Sequence, residues 1–302
     1  MMKAEGRRQK AEGRRQKSTP ATAGHPPLHP FTLSPLRLLG AFLVRDFFTE
    51  TSYRFAFIGG IVGILFRTFI FYFLSQFIGE AAAPLLTNYN GDYFSFVLIG
   101  LALGGYFGLG LGGFARALRE AQTTGTLEAL MMTPVPVSWI IVGSASWSYA
   151  YMTFRVLVYL LTGVLFLGVN LSGANVAAAL LILLLGIIAF ASIGIMAASI
   201  IMVIKRGDPV TALLGNLANL VGGVYYPVEV MPGWLQPLAK LLPISYALHG
   251  MRLALLTGAG WNELLPDILT LCLFCVILFP LSIFSFRYAV ERARLDGSLA
   301  QY

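Results

Sequence analysis

Two arginines, Arg67 and Arg155, each stand near the middle of a long apolar run, where a guanidinium group is costly unless it meets protein or water. They are the sharpest chemical signal in the chain. Such a group can pair with backbone carbonyls or with acids at the ends of the runs, such as Glu80 or Glu229, or reach a wet vestibule. Alternatively it can attract an anionic group such as phosphate, which its planar fork of donors suits. The other reactive side chains form no constellation. Of the histidines His25, His29 and His249, the first two lie in a Pro-rich stretch, so no zinc triad is available. Cys272 and Cys275 sit inside an apolar run, without the soluble βαβ context of a thioredoxin-like motif. No G-x-x-x-x-G-K-[ST] sequence occurs, and none of the five lysines follows a glycine. The chain therefore lacks the usual phosphate loop for ATP. Glu80, Asp92, Glu229, Glu263 and Asp267 lie near the ends of apolar runs, which argues against a proton relay buried in the membrane.

The elements that carry these residues must cross a membrane. The chain has 302 residues, 57% hydrophobic and 12% charged, with mean hydropathy +0.75, about half the charge of a soluble domain. The net charge of +7 is a topology signal rather than a nucleic-acid footprint, because its Lys and Arg cluster between apolar runs. Six runs reach the roughly 20 apolar residues a spanning helix needs: about 55–79, 93–115, 137–168, 175–203, 210–229 and 264–286. An arginine at mid-helix costs about 2.5–3.5 kcal/mol, while each Leu, Ile, Phe or Val returns about 0.3–0.6. Residues 55–79 hold fifteen of those four types, so insertion wins despite Arg67.

Orientation follows from the basic residues. Ten precede the first run, ending with Arg37, Arg45 and Arg54; Arg116 and Arg119 follow the second, Lys205 and Arg206 the fourth, and Arg287, Arg292 and Arg294 the last. The intervening loops, about 80–92 and 169–174, have none. The positive-inside rule then predicts that both termini lie in the cytoplasm of a multi-pass protein of the cell (inner) membrane. Residues 1–35 form a basic, Pro-rich tail in which KAEGRRQ occurs twice, at 3–9 and 10–16. Its composition predicts disorder, and the duplication reads as a start-site or duplication artefact, or as a polybasic tail for anionic lipid headgroups. Residues 36–290 are the membrane domain and 291–302 a cytoplasmic tail. Within 36–53, Leu36, Leu39, Phe42, Leu43 and Phe47 recur at helical spacing opposite charged residues, which predicts an interfacial amphipathic helix before the first span. Gly100, Gly104, Gly108 and Gly112 recur every fourth residue in the second span and predict close helix packing.

Two segments between spans are unusual. In 116–138, Thr126 can cap a short helix with Glu128 in its first turn, ended by Pro134 and Pro136. Leu127, Leu130 and Met131 give it an apolar face where a loop should be polar, a mark of a partner surface. The segment at about 224–261 is apolar and aromatic but broken by Pro227, Pro232, Pro237 and Pro243, so it cannot span as one helix. It reads as two short helices dipping back into the outer leaflet and covering the exit of a pathway.

The sequences G-T-L-E-x-L-x-x-T-P, from Gly125 to Pro134, and Y-P-x-x-x-x-P-x-W-L-x-P-x-x-x-x-x-P, from Tyr226 to Pro243, resemble those of the type-2 ATP-binding-cassette exporter permeases over about residues 36–290. The resemblance implies an all-α membrane protein with an N-terminal interfacial helix, six spans, a coupling helix between the second and third, and a re-entrant helical pair before the last. It implies that Gly125, Thr126, Leu127, Glu128, Leu130, Met131 and Pro134 dock on a separate cytoplasmic ATPase subunit, with Glu128 at the contact. It also implies that Tyr226, Pro227, Pro232, Trp234, Pro237, Pro243 and Arg252 belong to the re-entrant segment at the exit. No cofactor is expected on this chain; ATP and Mg would bind the partner's P-loop, and a second copy or a related permease would complete the pathway. The expected role is export of an amphiphile, such as a drug, a polysaccharide or a lipid-linked glycan, without enzymatic chemistry or nucleic-acid binding. A secondary transporter would show inverted repeats, and no matching halves are visible. A membrane-embedded lipid-modifying enzyme would need His, Asp or Glu clustered at one leaflet, and no such cluster occurs. Arg67 and Arg155 are not part of the resemblance.

Overall fold

The computed structural model describes residues 35–52, 54–123, 137–204, 215–216 and 218–295, and every regular element among them is helical. Helix α1 spans Pro35–Ser52, α2 Arg54–Ala82, α3 Tyr93–Thr123, α4 Val137–Phe166 and α5 Val176–Ile204. Two short helices follow, α6 Gln236–Lys240 and α7 Pro243–Arg252, and then the long α8, Trp261–Leu295. Among the described residues, five helices are long and apolar enough to cross a membrane: Arg54–Leu85, Tyr93–Phe114, Ala145–Phe166, Val176–Ile200 and Trp261–Arg292. These fall on the first, second, third, fourth and sixth expected spans. Of the expected fifth, 210–229, residues 210–214 and 217 lie outside the described residues; the rest is α-helical only to 221, where a turn at 222–226 ends it short of the expected 229.

Helix α3 is central. In its most apolar stretch 83% of residues are buried, against 11% for α2 and 17% for α8. Its side chains Phe96, Leu98, Ile99, Tyr106 and Phe107 are fully buried, and it contacts α2, α4, α5 and α7. The outer helices turn large apolar side chains outward, Phe55, Phe66 and Phe77 from α2 and Leu273, Val276 and Phe284 from α8. That inversion of the soluble-protein pattern fits a lipid solvent, which is as apolar as the side chains themselves and gives helices little hydrophobic reason to associate. Adhesion must then come from close packing and interhelical hydrogen bonds. The Tyr106 and Thr153 hydroxyls meet at 2.5 Å between α3 and α4, and the Cys275 thiol of α8 donates to the Leu185 carbonyl of α5 at 3.3 Å.

The helix starts follow from local chemistry. Asp92 accepts from the backbone N–H of Phe94 and Ser95, both at 3.1 Å, which caps α3. Asn175 does the same for α5, accepting from Ala178 N–H at 3.1 Å. Both connecting loops are tied to the π-helical turn Leu253–Thr257 after α7 or to the residues that follow it. Asn90 donates to the Leu256 carbonyl at 2.6 Å, and Asn175 donates to the Ala259 carbonyl at 3.1 Å. Gly258 has φ +66°, and a Cβ there would overlap the Gly173 carbonyl, so glycine is required where this turn meets the 169–175 loop. Helix α1 packs on α4: the Phe42 ring covers Gly143, where a Cβ would overlap it, and Phe47 meets Trp147 edge-on at 5.7 Å. Of the expected apolar stripe, Phe42 is buried and Phe47 is exposed, beside exposed Val44 and Phe48.

Candidate functional site

The site is built around Arg252 at the end of α7. Its guanidinium is buried and donates from Nε to the Phe96 carbonyl at 3.1 Å, from Nη1 to Gly223 at 2.9 Å and from Nη2 to Val224 at 2.9 Å. It also lies over the Phe96 ring, 3.4 Å from the centroid. Every nitrogen of the fork has a carbonyl, an arrangement that a lysine cannot reproduce. Gly100 makes room for the clamped turn, because a Cβ there would overlap the Val224 carbonyl oxygen. Gly223 takes φ +83°, which suits glycine alone without strain.

This turn separates two cavities. One, of about 460 Å³, extends from Val224 and Tyr225 along α3 to Arg116 near its end. From Leu101 to Arg116 it follows α3 for roughly 22 Å at helical rise. The other, of about 200 Å³, lies beyond Gly222 and Gly223 among residues of α6, α7 and the start of α8. There His249 Nδ1 and the Asp267 carboxylate meet at 2.7 Å, with Tyr89 edge-on to the imidazole at 6.0 Å. The hydrogen bond that the imidazole donates to Asp267 pushes His249 above its ordinary value, opposed by burial and Arg252 and helped by the charges of Asp267 and Glu229.

Arg67 of α2 and Arg155 of α4 both line the larger cavity. The two mid-span arginines, far apart in sequence, thus share one polar space. Arg116, Trp147 and Asn219 line it too; none of the three stood out as a candidate site residue in the sequence. Asn219 carried a faint signal, as one of two amides, with Asn216, in a mostly apolar run. Among the glycines of the α3 stripe, Gly100 and Gly104 pack against the Val224 region, the latter also against Asn219, while Gly108 has nothing within 4 Å of a built Cβ and lines the cavity. Gly112 touches only Arg116, at 3.9 Å. The closest helix–helix approach of α3 is elsewhere, at Gly110, whose carbonyl a Cβ on Gly194 of α5 would overlap.

The broken segment forms two short helices. Pro227 is buried beside the smaller cavity, and Tyr226 and Pro232 lie in the approach to α6. Trp234 is exposed at 74%, Pro237 occupies the first turn of α6, and Pro243 starts α7. Both prolines stand where their missing N–H costs nothing. Gly125, Thr126, Leu127, Glu128, Leu130, Met131 and Pro134 lie outside the described residues, as do the tail 1–34 and residues 296–302.

A bundle with an apolar exterior, entered by a cavity that carries arginines to mid-span depth, defines an integral membrane protein of the transporter class. The chain belongs to the ABC-2 type transporter family, whose model matches residues 38–256. It is 25% identical over 175 residues to the linearmycin resistance permease protein LnrN of Bacillus subtilis (strain 168), a match that covers 55% of this chain and 43% of the relative. The chain thus spans less than half the length of that relative in the matched region.

Proposed function

We propose that this chain is the membrane subunit of an exporter driven by a separate ATPase subunit with a P-loop, and that it carries an amphiphilic compound out of the cytoplasm. The observation that supports this reading best is the pair of cavities on either side of the turn held by Arg252. Two spaces that approach one barrier from opposite ends are what alternating access requires, with the barrier held closed in this state. The resistance role in the relative's name supports an amphiphilic cargo. The Lys and Arg distribution supports an orientation with both termini, and the Arg116 end of the larger cavity, in the cytoplasm.

In this account the segment from Gly125 to Pro134 docks in the ATPase subunit, with Glu128 at the contact, and the closure of that subunit on ATP biases the pathway from inward-facing to outward-facing. Six spans, a re-entrant α6–α7 pair at the exit and a second permease copy complete the architecture. Glu128→Ala and Leu130→Asp are expected to lower both export and the stimulation of the ATPase severalfold, while insertion and expression stay near wild type. Transport assays in inverted vesicles, with membrane protein yield measured in parallel, check this. Undiminished transport in both variants would remove this segment as the main contact.

A further inference from the structure

We infer that the larger cavity is an oxyanion-binding site, and that the cargo it accepts is an amphiphile with a phosphate or carboxylate head. The inference rests on the exporter reading above and names its substrate class. Three guanidinium groups, those of Arg67, Arg116 and Arg155, line the cavity together with a single carboxylate, Glu50. None of the three arginines has an ion-pair partner among the described residues. Buried polar groups without partners are rare in folded proteins and call for an explanation. Four such side-chain atoms occur among the described residues, and three of them belong to residues of this cavity: Trp147 Nε1, Arg155 Nε and Asn219 Oδ1. Two of those three are obligate donors.

Three guanidinium-bearing residues without ion-pair partners around one space match a group with several acceptor oxygens and negative charge. Glu80 and Glu229, the acids first weighed as partners, do not line the cavity, so pairing with them does not account for arginines that open on this polar space. Arg67 and Arg116 are exposed and Arg155 is half-buried, so all three charges are within reach of a ligand that enters the cleft. The wall also offers an aromatic flank for the rest of an amphiphile, with Trp147 and Tyr151 stacked at 6.5 Å and Tyr151 backed by Phe57 and Phe154 from outside the lining.

The test is calorimetric titration of the full-length chain in dodecyl maltoside micelles with dodecyl phosphate, and with dodecyl phosphocholine as the zwitterionic control. Dodecyl phosphate should bind saturably and at least about tenfold more tightly than the control, which is about 1.4 kcal/mol. Arg67→Gln and Arg155→Gln should each weaken it about tenfold, whereas Arg37→Gln on α1 should leave it unchanged. Where a Gln variant fails to accumulate, the Lys variant serves: it keeps the charge without the fork and should bind with intermediate affinity. Equal binding of the two amphiphiles, or variants that bind like wild type, would overturn the site. Competition by phosphatidylglycerol in nanodiscs, with the same arginine dependence, would identify a bilayer headgroup as the source of the oxyanion. That result would overturn the cargo assignment, whereas saturable dodecyl phosphate binding without such competition would support it. The titration needs no ATPase subunit, so its failure leaves the exporter reading intact, and loss of coupling to that subunit leaves the binding result intact.

Discussion

Arg252 shows how one charge is held at depth. Three carbonyls and an aromatic face replace its hydration, and the residue thereby fixes the turn that separates the two cavities. Its neighbour His249 is tuned instead by Asp267. Asp267, Glu229 and Arg252 are the charged groups that act on it, Tyr89 packs edge-on against its ring, and Lys240 lines the same cavity. Because the folded-state value is raised above the ordinary 6.5, protonated His249 contributes stability that is complete below the unfolded value and is lost as pH rises through the folded one. The thermal transition of the purified chain should therefore fall as pH rises above about 6.5, and Asp267→Asn should remove that component. Identical pH profiles for the two proteins would show that the pair does not stabilise this end of the bundle. Arg252 was visible in the sequence only as a member of the re-entrant segment that the resemblance implies, and its partners were not visible at all. They are main-chain carbonyls of Phe96, Gly223 and Val224, and backbone acceptors leave no trace in residue identity.

Five helices start and stop close to where hydropathy put them, because a spanning segment is defined by composition over some 20 residues and needs no tertiary information. Pairing between helices does need it. The stripe from Gly100 to Gly112 has the period of a packing face, yet its first two members accommodate a turn and the last two face a cavity or an arginine. The tight crossing is between Gly110 and Gly194, where two backbones meet with no side chain between. In lipid such contacts provide much of the adhesion between helices. Gly194→Leu should accordingly lower the yield of folded protein severalfold, as read by fluorescence-detected gel filtration, whereas Gly108→Ala should leave it unchanged. A loss with Gly108→Ala and none with Gly194→Leu would return the packing role to the stripe.

At the scale of the whole molecule, the class was legible from the segment order and the two motifs, and the family match over 38–256 agrees with that reading. The shared cavity of Arg67 and Arg155 was not legible. Each arginine alone looked like an isolated cost, and only the packing of α2 and α4 around α3 makes them one site. The central claim is that this site belongs to a permease whose energy comes from another chain. It is tested most directly by measuring ATP hydrolysis with the purified chain alone and after co-expression with a P-loop ATPase subunit. The account predicts no turnover by the chain alone, and co-purification with hydrolysis when the subunit is present. Robust ATP turnover by the lone chain would contradict it.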